Sequence, residues 1–147
     1  MKSMIRYLFI LAAVVSLASC DIRRKDKVSD DAMKQYEKFL KDTTTVQVID
    51  TVYNFANVTD GEKVEYNYRF KNTGNKPMVV VSATASCGCT VPEKPERPIL
   101  PGDTGFIKVV FDSKGRVGSA HKSITVMANV KPEFPQLLLT GEVKAKE

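Results

Sequence analysis

The sequence predicts an all-β domain, an immunoglobulin-like sandwich of six to seven short strands, behind an export leader and a short helix. Three observations carry that reading. From about residue 46 onward, apolar and polar residues alternate with a period of two. Clusters of Gly, Asn and Pro break the alternation at short intervals. The stretch patterned in this way is about 100 residues long, the size of such a sandwich. The expected organisation is a leader over residues 1–19, an anchor, tether and helix over 20–45, and the sandwich over 46–147.

The leader comes first. Lys2 and Arg6 precede an apolar run from Tyr7 to Val15, and Leu17-Ala18-Ser19-Cys20 follows. The run is shorter than the ~20 residues of a membrane-spanning helix and has the form of a secretory signal. Its last four residues resemble a bacterial lipobox. That resemblance implies cleavage before Cys20 and attachment of diacyl lipid, with palmitate-type chains, to the Cys20 thiol. Two or more acyl chains anchor stably, at ~0.8 kcal/mol per buried CH₂, so the mature chain is expected to be held to a membrane without spanning it. Loss of Lys2 and Arg6 with the leader takes the formal charge from +5 to +3. That is too mild, and its lysines too scattered among acids, for a nucleic-acid reader.

The polar stretch from Asp21 to Lys27 reads as a tether, with Arg23, Arg24, Lys25 and Lys27 able to graze anionic headgroups. Ser29-Asp30-Asp31 is a helix-start signal. Met33, Tyr36, Phe39 and Leu40 follow at helical spacing, which predicts a short helix over 30–41. Lys38 and Lys41 fall in its last turn, where they suit the helix dipole.

The period then changes. Val46, Val48 and Asp50 share one face of an extended segment that continues through Thr51–Phe55. After the Thr59-Asp60-Gly61 turn, Val64, Tyr66, Tyr68 and Phe70 alternate with polar residues, so one face is expected to be buried. Asn72-Thr73-Gly74 to Pro77 is a turn. Residues 78–85 are mostly apolar and read as a central strand. Residues 92–101 are proline-rich and excluded from one. Ile107, Val109 and Phe111 mark the next strand, residues 112–120 a loop, and Ile124 and Val126 the strand after it. Leu137, Leu139, Gly141 and Val143 mark the last. A small closed barrel is the alternative, but the proline-rich stretch better suits a crossover between two sheets.

The motif that invites chemistry is Ser86-Cys87-Gly88-Cys89-Thr90. In extended backbone, residues two apart point the same way, so the two sulfurs can converge where Gly88 lets the chain bend. Three roles fit. Both thiols serve as small buried hydrophobes at a strand end; or they form a disulfide; or they hold a soft metal, copper(I) above all. For the last, His121 is the only imidazole available as a third ligand, and Met78 or Met127 supplies a thioether. Read plainly, His121 is a surface residue at a strand start. A structural zinc site wants four ligands and finds three Cys/His candidates. No nucleophile elbow, zincin motif or phosphate loop is present, and nothing orients His121 to activate a cysteine. No catalytic residue is assigned, and the chain is expected not to be an enzyme.

The succession Phe70-Lys71-Asn72-Thr73-Gly74, Pro77, Ser86-Cys87-Gly88-Cys89-Thr90-Val91-Pro92, Pro101-Gly102 and Phe111-Asp112 resembles the bacterial family known as domain of unknown function 1573. Many of its members are lipoproteins of Bacteroidetes-type bacteria. The resemblance covers roughly residues 50–143 and implies an immunoglobulin-like sandwich, similar to major-sperm-protein and cilia-associated domains. It implies no established activity, and relatives give His121 no role. The expected function is therefore a lipid-anchored cell-envelope module that binds a protein or another envelope component, by strand addition or a loop face. The alternative is a copper-binding or thiol-redox envelope protein using Cys87 and Cys89. No acidic run of the surface-export kind follows Cys20, so the chain is expected to face the periplasm.

Overall fold

The computed structural model of the protein describes residues 34, 37, 38 and 41–147. The leader, Cys20, the tether and, but for four positions, the helix expected over 30–41 lie outside the described residues. The chain divides into two compact units, Met1–Lys38 and Phe39–Glu147, and every strand among the described residues belongs to the second.

That unit is a sandwich of two four-stranded sheets. The strands are β1 (Val46–Val48), β2 (Val52–Thr59), β3 (Lys63–Asn72), β4 (Val80–Ala85), β5 (Thr90–Glu93), β6 (Thr104–Asp112), β7 (Gly118–Ala128) and β8 (Leu137–Lys144). Sheet one has the order β1-β3-β6-β5 and sheet two the order β2-β8-β7-β4. All neighbours pair antiparallel except β2 and β8, which run parallel.

Period-two alternation decides what faces inward. Val64, Tyr68 and Phe70 of β3 and Ile107, Val109 and Phe111 of β6 are buried from sheet one. Phe55, Ile124, Val126, Leu137, Leu139 and Val143 meet them from sheet two. Tyr66 is only half-buried: it stacks on Tyr53 at 3.8 Å between ring centres and closes one open side of the sandwich. Gly141 falls on the inward face, and the Phe55 ring occupies the space a Cβ there would need.

Four expectations are corrected. Among the described residues there are eight strands, because the first extended segment breaks at Ile49–Thr51 with its halves joining different sheets, and Thr90–Glu93, running into the proline-rich stretch, forms the edge strand β5. Asp50 therefore leaves the Val46/Val48 face; its carboxylate accepts from Arg69 Nε at 2.8 Å and Nη2 at 3.0 Å. The segment 78–85 is not central: β4 is an edge strand, and it is apolar because Val80 and its inward neighbours Ala83 and Ala85 face the core. The loop assigned to 112–120 ends early, at Gly118, where β7 begins to pair with Val143.

Two polar clusters tie the ends. At the end where the chain enters, Asn72 is fully buried. Its Nδ2 donates to the Lys76 and Ile99 carbonyls at 2.8 and 2.9 Å, and its Oδ1 accepts from Thr44 Oγ1 at 2.9 Å. Beside it, Asn129 Oδ1 accepts from Val79 N at 2.7 Å, and its Nδ2 donates to the Asp42 carbonyl at 2.8 Å. At the other end, the buried Ser113 hydroxyl bridges the Thr59–Glu62 turn, donating to the Glu62 carbonyl at 2.7 Å.

Candidate functional site

The Cys-Gly-Cys motif lies at the end of the sandwich away from the chain's entry, where the backbone leaves sheet two for sheet one. β4 stops at Ala85. Ser86 makes the last contact with β7: its N–H donates to the Ser123 carbonyl at 2.9 Å, and its Oγ accepts from Ser123 N at 3.2 Å. The chain then turns, closed by Thr90 N donating to the Cys87 carbonyl at 3.2 Å, and β5 begins at Thr90.

This turn brings the Cys87 and Cys89 Cα atoms to 5.3 Å, and the two sulfurs are bonded to each other. Fully extended, the same residues are about 6.6 Å apart, near the upper limit for a disulfide. The turn thus supplies the approach that straight backbone does not. Gly88 does not supply it in the expected way. Its φ is not left-handed, and a Cβ there would meet no atom within 4 Å. The bridge closes a loop of three residues, so chain entropy gives it only about 1.6 kcal/mol of stabilisation.

The two sulfurs have unequal surroundings. Cys89 is 7% exposed, Cys87 is half-buried, and Gly88 between them is open. The buried Thr90 hydroxyl lies 3.6 Å from Cys87 Sγ and 3.8 Å from Cys89 Sγ. Thr90 pairs with Phe111 across β5 and β6, and the Lys122 ammonium sits 5.9 Å from the centre of that same ring. Lys122 is on the inward parity of β7, between Ala120 and Ile124. A hydroxyl and a cation thus flank the corner that holds the bridge.

The structure does not assemble the soft-metal ligand set. His121 is exposed on the outer face of β7, opposite Thr140. Met127 is also outward, opposite Ser82 and 60% exposed, while Met78 is fully buried at the entry end beside Ile99. Among the described residues no three His, Cys, Asp or Glu side chains converge as metal ligands. Thr90 stood in the motif without a role, and Lys122 was missed. Extending the Ile124/Val126 alternation back by two residues would have placed Lys122 inside.

The same corner leaves an edge open. β4 pairs with β7 only from Ile124 to Ala128, whereas β8 pairs with it from Gly118 to Ile124. Ser119 to Lys122 therefore have a strand on one side only among the described residues. Ser123 turns its N–H and C=O toward Ser86, so by the period of two the backbone groups of His121 and Ser119 face the same open side. The edge strands themselves are blunted, β5 by Pro92, β2 by a bulge at Ala56 with φ +56° and β4 by a bulge between Val80 and Ser82, while the three-residue β1 leaves residues 63–68 of β3 with a strand on one side only among the described residues.

The sequence profile of the family described as "Protein of unknown function (DUF1573)" matches residues 46–143. No curated protein matches the chain. Among solved structures, a protein of unknown function from Porphyromonas gingivalis W83 is similar at 17% identity and TM-score 0.59, over 68% of this chain and 47% of its own. This chain thus spans about half of that protein. The ASH / PapD-like domain 7 of human CEP192 is similar at 13% identity and TM-score 0.56, over 71% of this chain and 89% of that domain. The Vibrio cholerae VesB protease aligns at 10% identity and TM-score 0.51, over 76% of this chain and 34% of the protease. At these identities the likenesses establish the fold, a PapD-like variant of the immunoglobulin sandwich.

Proposed function

The chain belongs to the family described as protein of unknown function (DUF1573), and from that premise we propose that it is a non-enzymatic cell-envelope lipoprotein that binds another protein by strand addition. Lipid on Cys20 holds it to a membrane, facing the periplasm, and an extended segment of the partner pairs with the open edge of β7. One observation carries this reading. The edge strands are short, bulged or proline-bearing, while among the described residues Ser119–Lys122 offers straight backbone with a strand on one side only, as residues 63–68 of β3 also do where the three-residue β1 stops short. Such an edge gives a guest strand main-chain hydrogen bonds on arrival.

The test uses the full-length protein in its own cells. A photo-crosslinking residue placed at His121 is expected to give one discrete protein adduct, and the same residue at Lys108, on the outer face of sheet one and paired on both sides, none. His121→Pro, which removes an edge N–H that faces away from β8, is expected to abolish an adduct formed from position 119 without unfolding the domain. Equal adducts from 121 and 108, or an adduct indifferent to proline, count against the reading. Mass spectrometry of the purified chain is expected to find acylated Cys20 as the first residue. Cys20→Ser is expected to leave the membrane fraction. An unmodified Cys20 refutes the anchor.

A copper(I) site would need both thiols free, and the bridge occupies them.

A further inference from the structure

We propose that the Cys87–Cys89 bridge is a thiol–disulfide exchange site for protein thiols, with Cys87 the sulfur attacked and Cys89 the leaving thiolate. This goes beyond the binding role and stands whether or not a partner strand joins β7.

The fold has little structural use for the bridge. It spans three residues and crosses no strands, and its central Gly88 is required neither by a left-handed φ nor by lack of room. A bridge kept for stability usually closes a longer loop. The local structure instead differentiates the two sulfurs. Attack needs access, and access is on the Cys87 side: Cys87 is half-buried, the adjoining Gly88 is exposed, and no side chain stands over it, whereas Cys89 is 7% exposed. Departure needs a stabilised thiolate. The Thr90 hydroxyl is within donating reach of both sulfurs, 3.6 Å from Cys87 Sγ and 3.8 Å from Cys89 Sγ, so once Cys87 is attacked it can donate to the departing Cys89 sulfur, and the inward-facing Lys122 brings positive charge to the Phe111 ring opposite Thr90. A hydroxyl donor at the sulfur, with positive charge one side chain away, favours thiolate over thiol.

The step balances as follows. The thiolate of a partner protein attacks Cys87 Sγ, the Cys87–Cys89 bond breaks, and its electron pair remains on Cys89 Sγ. The partner is then joined to Cys87 as a mixed disulfide. A second thiolate of the same partner attacks its own linked sulfur and expels Cys87 as thiolate. Two electrons have passed to the pair, two protons follow from solvent, and the partner's dithiol has become a disulfide. The reverse sequence reduces a partner's disulfide.

Glutathione serves as the probe thiol. The full-length protein in detergent is equilibrated in buffers of graded reduced-to-oxidised glutathione, and free thiols are then trapped by alkylation and counted by mass. The pair is expected to titrate reversibly between bridge and dithiol while the domain stays folded by circular dichroism. With oxidised glutathione, Cys89→Ser is expected to form its mixed disulfide at Cys87 at least tenfold faster than Cys87→Ser forms one at Cys89. Thr90→Val and Lys122→Met are each expected to slow opening of the wild-type bridge by reduced glutathione several-fold, with thermal unfolding little changed. A bridge that opens only when the domain unfolds, equal reactivity at the two cysteines, or opening indifferent to both substitutions overturns the proposal. The redox titration of the unsubstituted protein decides the matter if a cysteine variant does not fold.

Discussion

Glycine means two different things in this chain, and the difference is measurable at single residues. Gly141 stands where the Phe55 ring fills the room for a Cβ, and Gly105 is crowded in the same way by the Phe70 ring. Overfilling a packed core costs about 1–3 kcal/mol, so Gly141→Ala is expected to lower stability by that amount in a urea titration. Gly88 has no such neighbour, and Gly88→Ala is expected to fall within about 0.5 kcal/mol of the parent. A large loss there would show that the turn depends on the glycine after all. Tyr68 is a third kind of residue. Its ring is core, yet its hydroxyl donates to the Leu138 carbonyl at 2.7 Å across the sandwich. Tyr68→Phe is expected to cost about 1 kcal/mol by loss of that hydrogen bond, the carbonyl keeping its partner in the β2–β8 ladder. The alternating pattern placed Tyr68 inside, but its partner on a distant strand is visible only in three dimensions.

At the scale of elements, the turn after β3 and the turn after β4 do different work. Both contain family-like sequence, Asn72-Thr73-Gly74 in one and Cys87-Gly88-Cys89 in the other. Asn72 joins the chain's entry at Thr44, the turn at Lys76 and the crossover at Ile99. Removing a fully buried amide that serves four partners, Gly74 N included, leaves several groups unpaired, each at about 1–3 kcal/mol. Asn72→Ala is therefore expected to be among the most damaging single changes, read as a fall in urea midpoint at unchanged slope. The cysteine turn anchors nothing comparable. Edge status follows the same logic. An apolar run suggested a central position for residues 78–85, but β4 is bordered on one side only, its inward face apolar and Ser82 and Thr84 turned outward. Apolar content reports burial of a face, and it does not report how many neighbours a strand has.

For the whole molecule, the titratable groups that matter lie around the site where β1 passes to β2. Hydrogen bonding from Arg69 holds the Asp50 carboxyl below its usual range. The folded state thus binds that proton less tightly than the unfolded chain. The stabilisation is present above the ordinary carboxylate pKa of about 4 and is lost as the pH falls through the depressed value. Asp50→Asn is expected to flatten the acid limb of a stability–pH curve. Tyr68 behaves oppositely: burial pushes its hydroxyl well above the ordinary range. The folded state then holds a proton that the unfolded chain sheds near pH 10, so stability is expected to fall as the pH rises past that point, with a gentler fall in Tyr68→Phe. Reduction of the bridge tests the molecule as a unit. A three-residue loop worth about 1.6 kcal/mol is expected to lower the calorimetric midpoint by roughly 10 °C or less, with the domain still cooperative.

The amino-acid order by itself determined the all-β class, the inward face of nearly every strand, the turns and the singular Cys-Gly-Cys motif. These are local properties: a side-chain period of two, and Gly, Asn and Pro preferences that hold whatever the chain packs against. Tertiary structure alone decided the break at Ile49–Thr51 that sends β1 and β2 to different sheets, the edge position of β4, the open stretch of β7 and the inward placement of Lys122. Each depends on which strand lies beside which, and pairing between residues tens of positions apart is fixed by the collective burial of both faces. The bond between Cys87 and Cys89 sits between the two. The spacing allowed it, and the turn at the sheet-to-sheet corner made it.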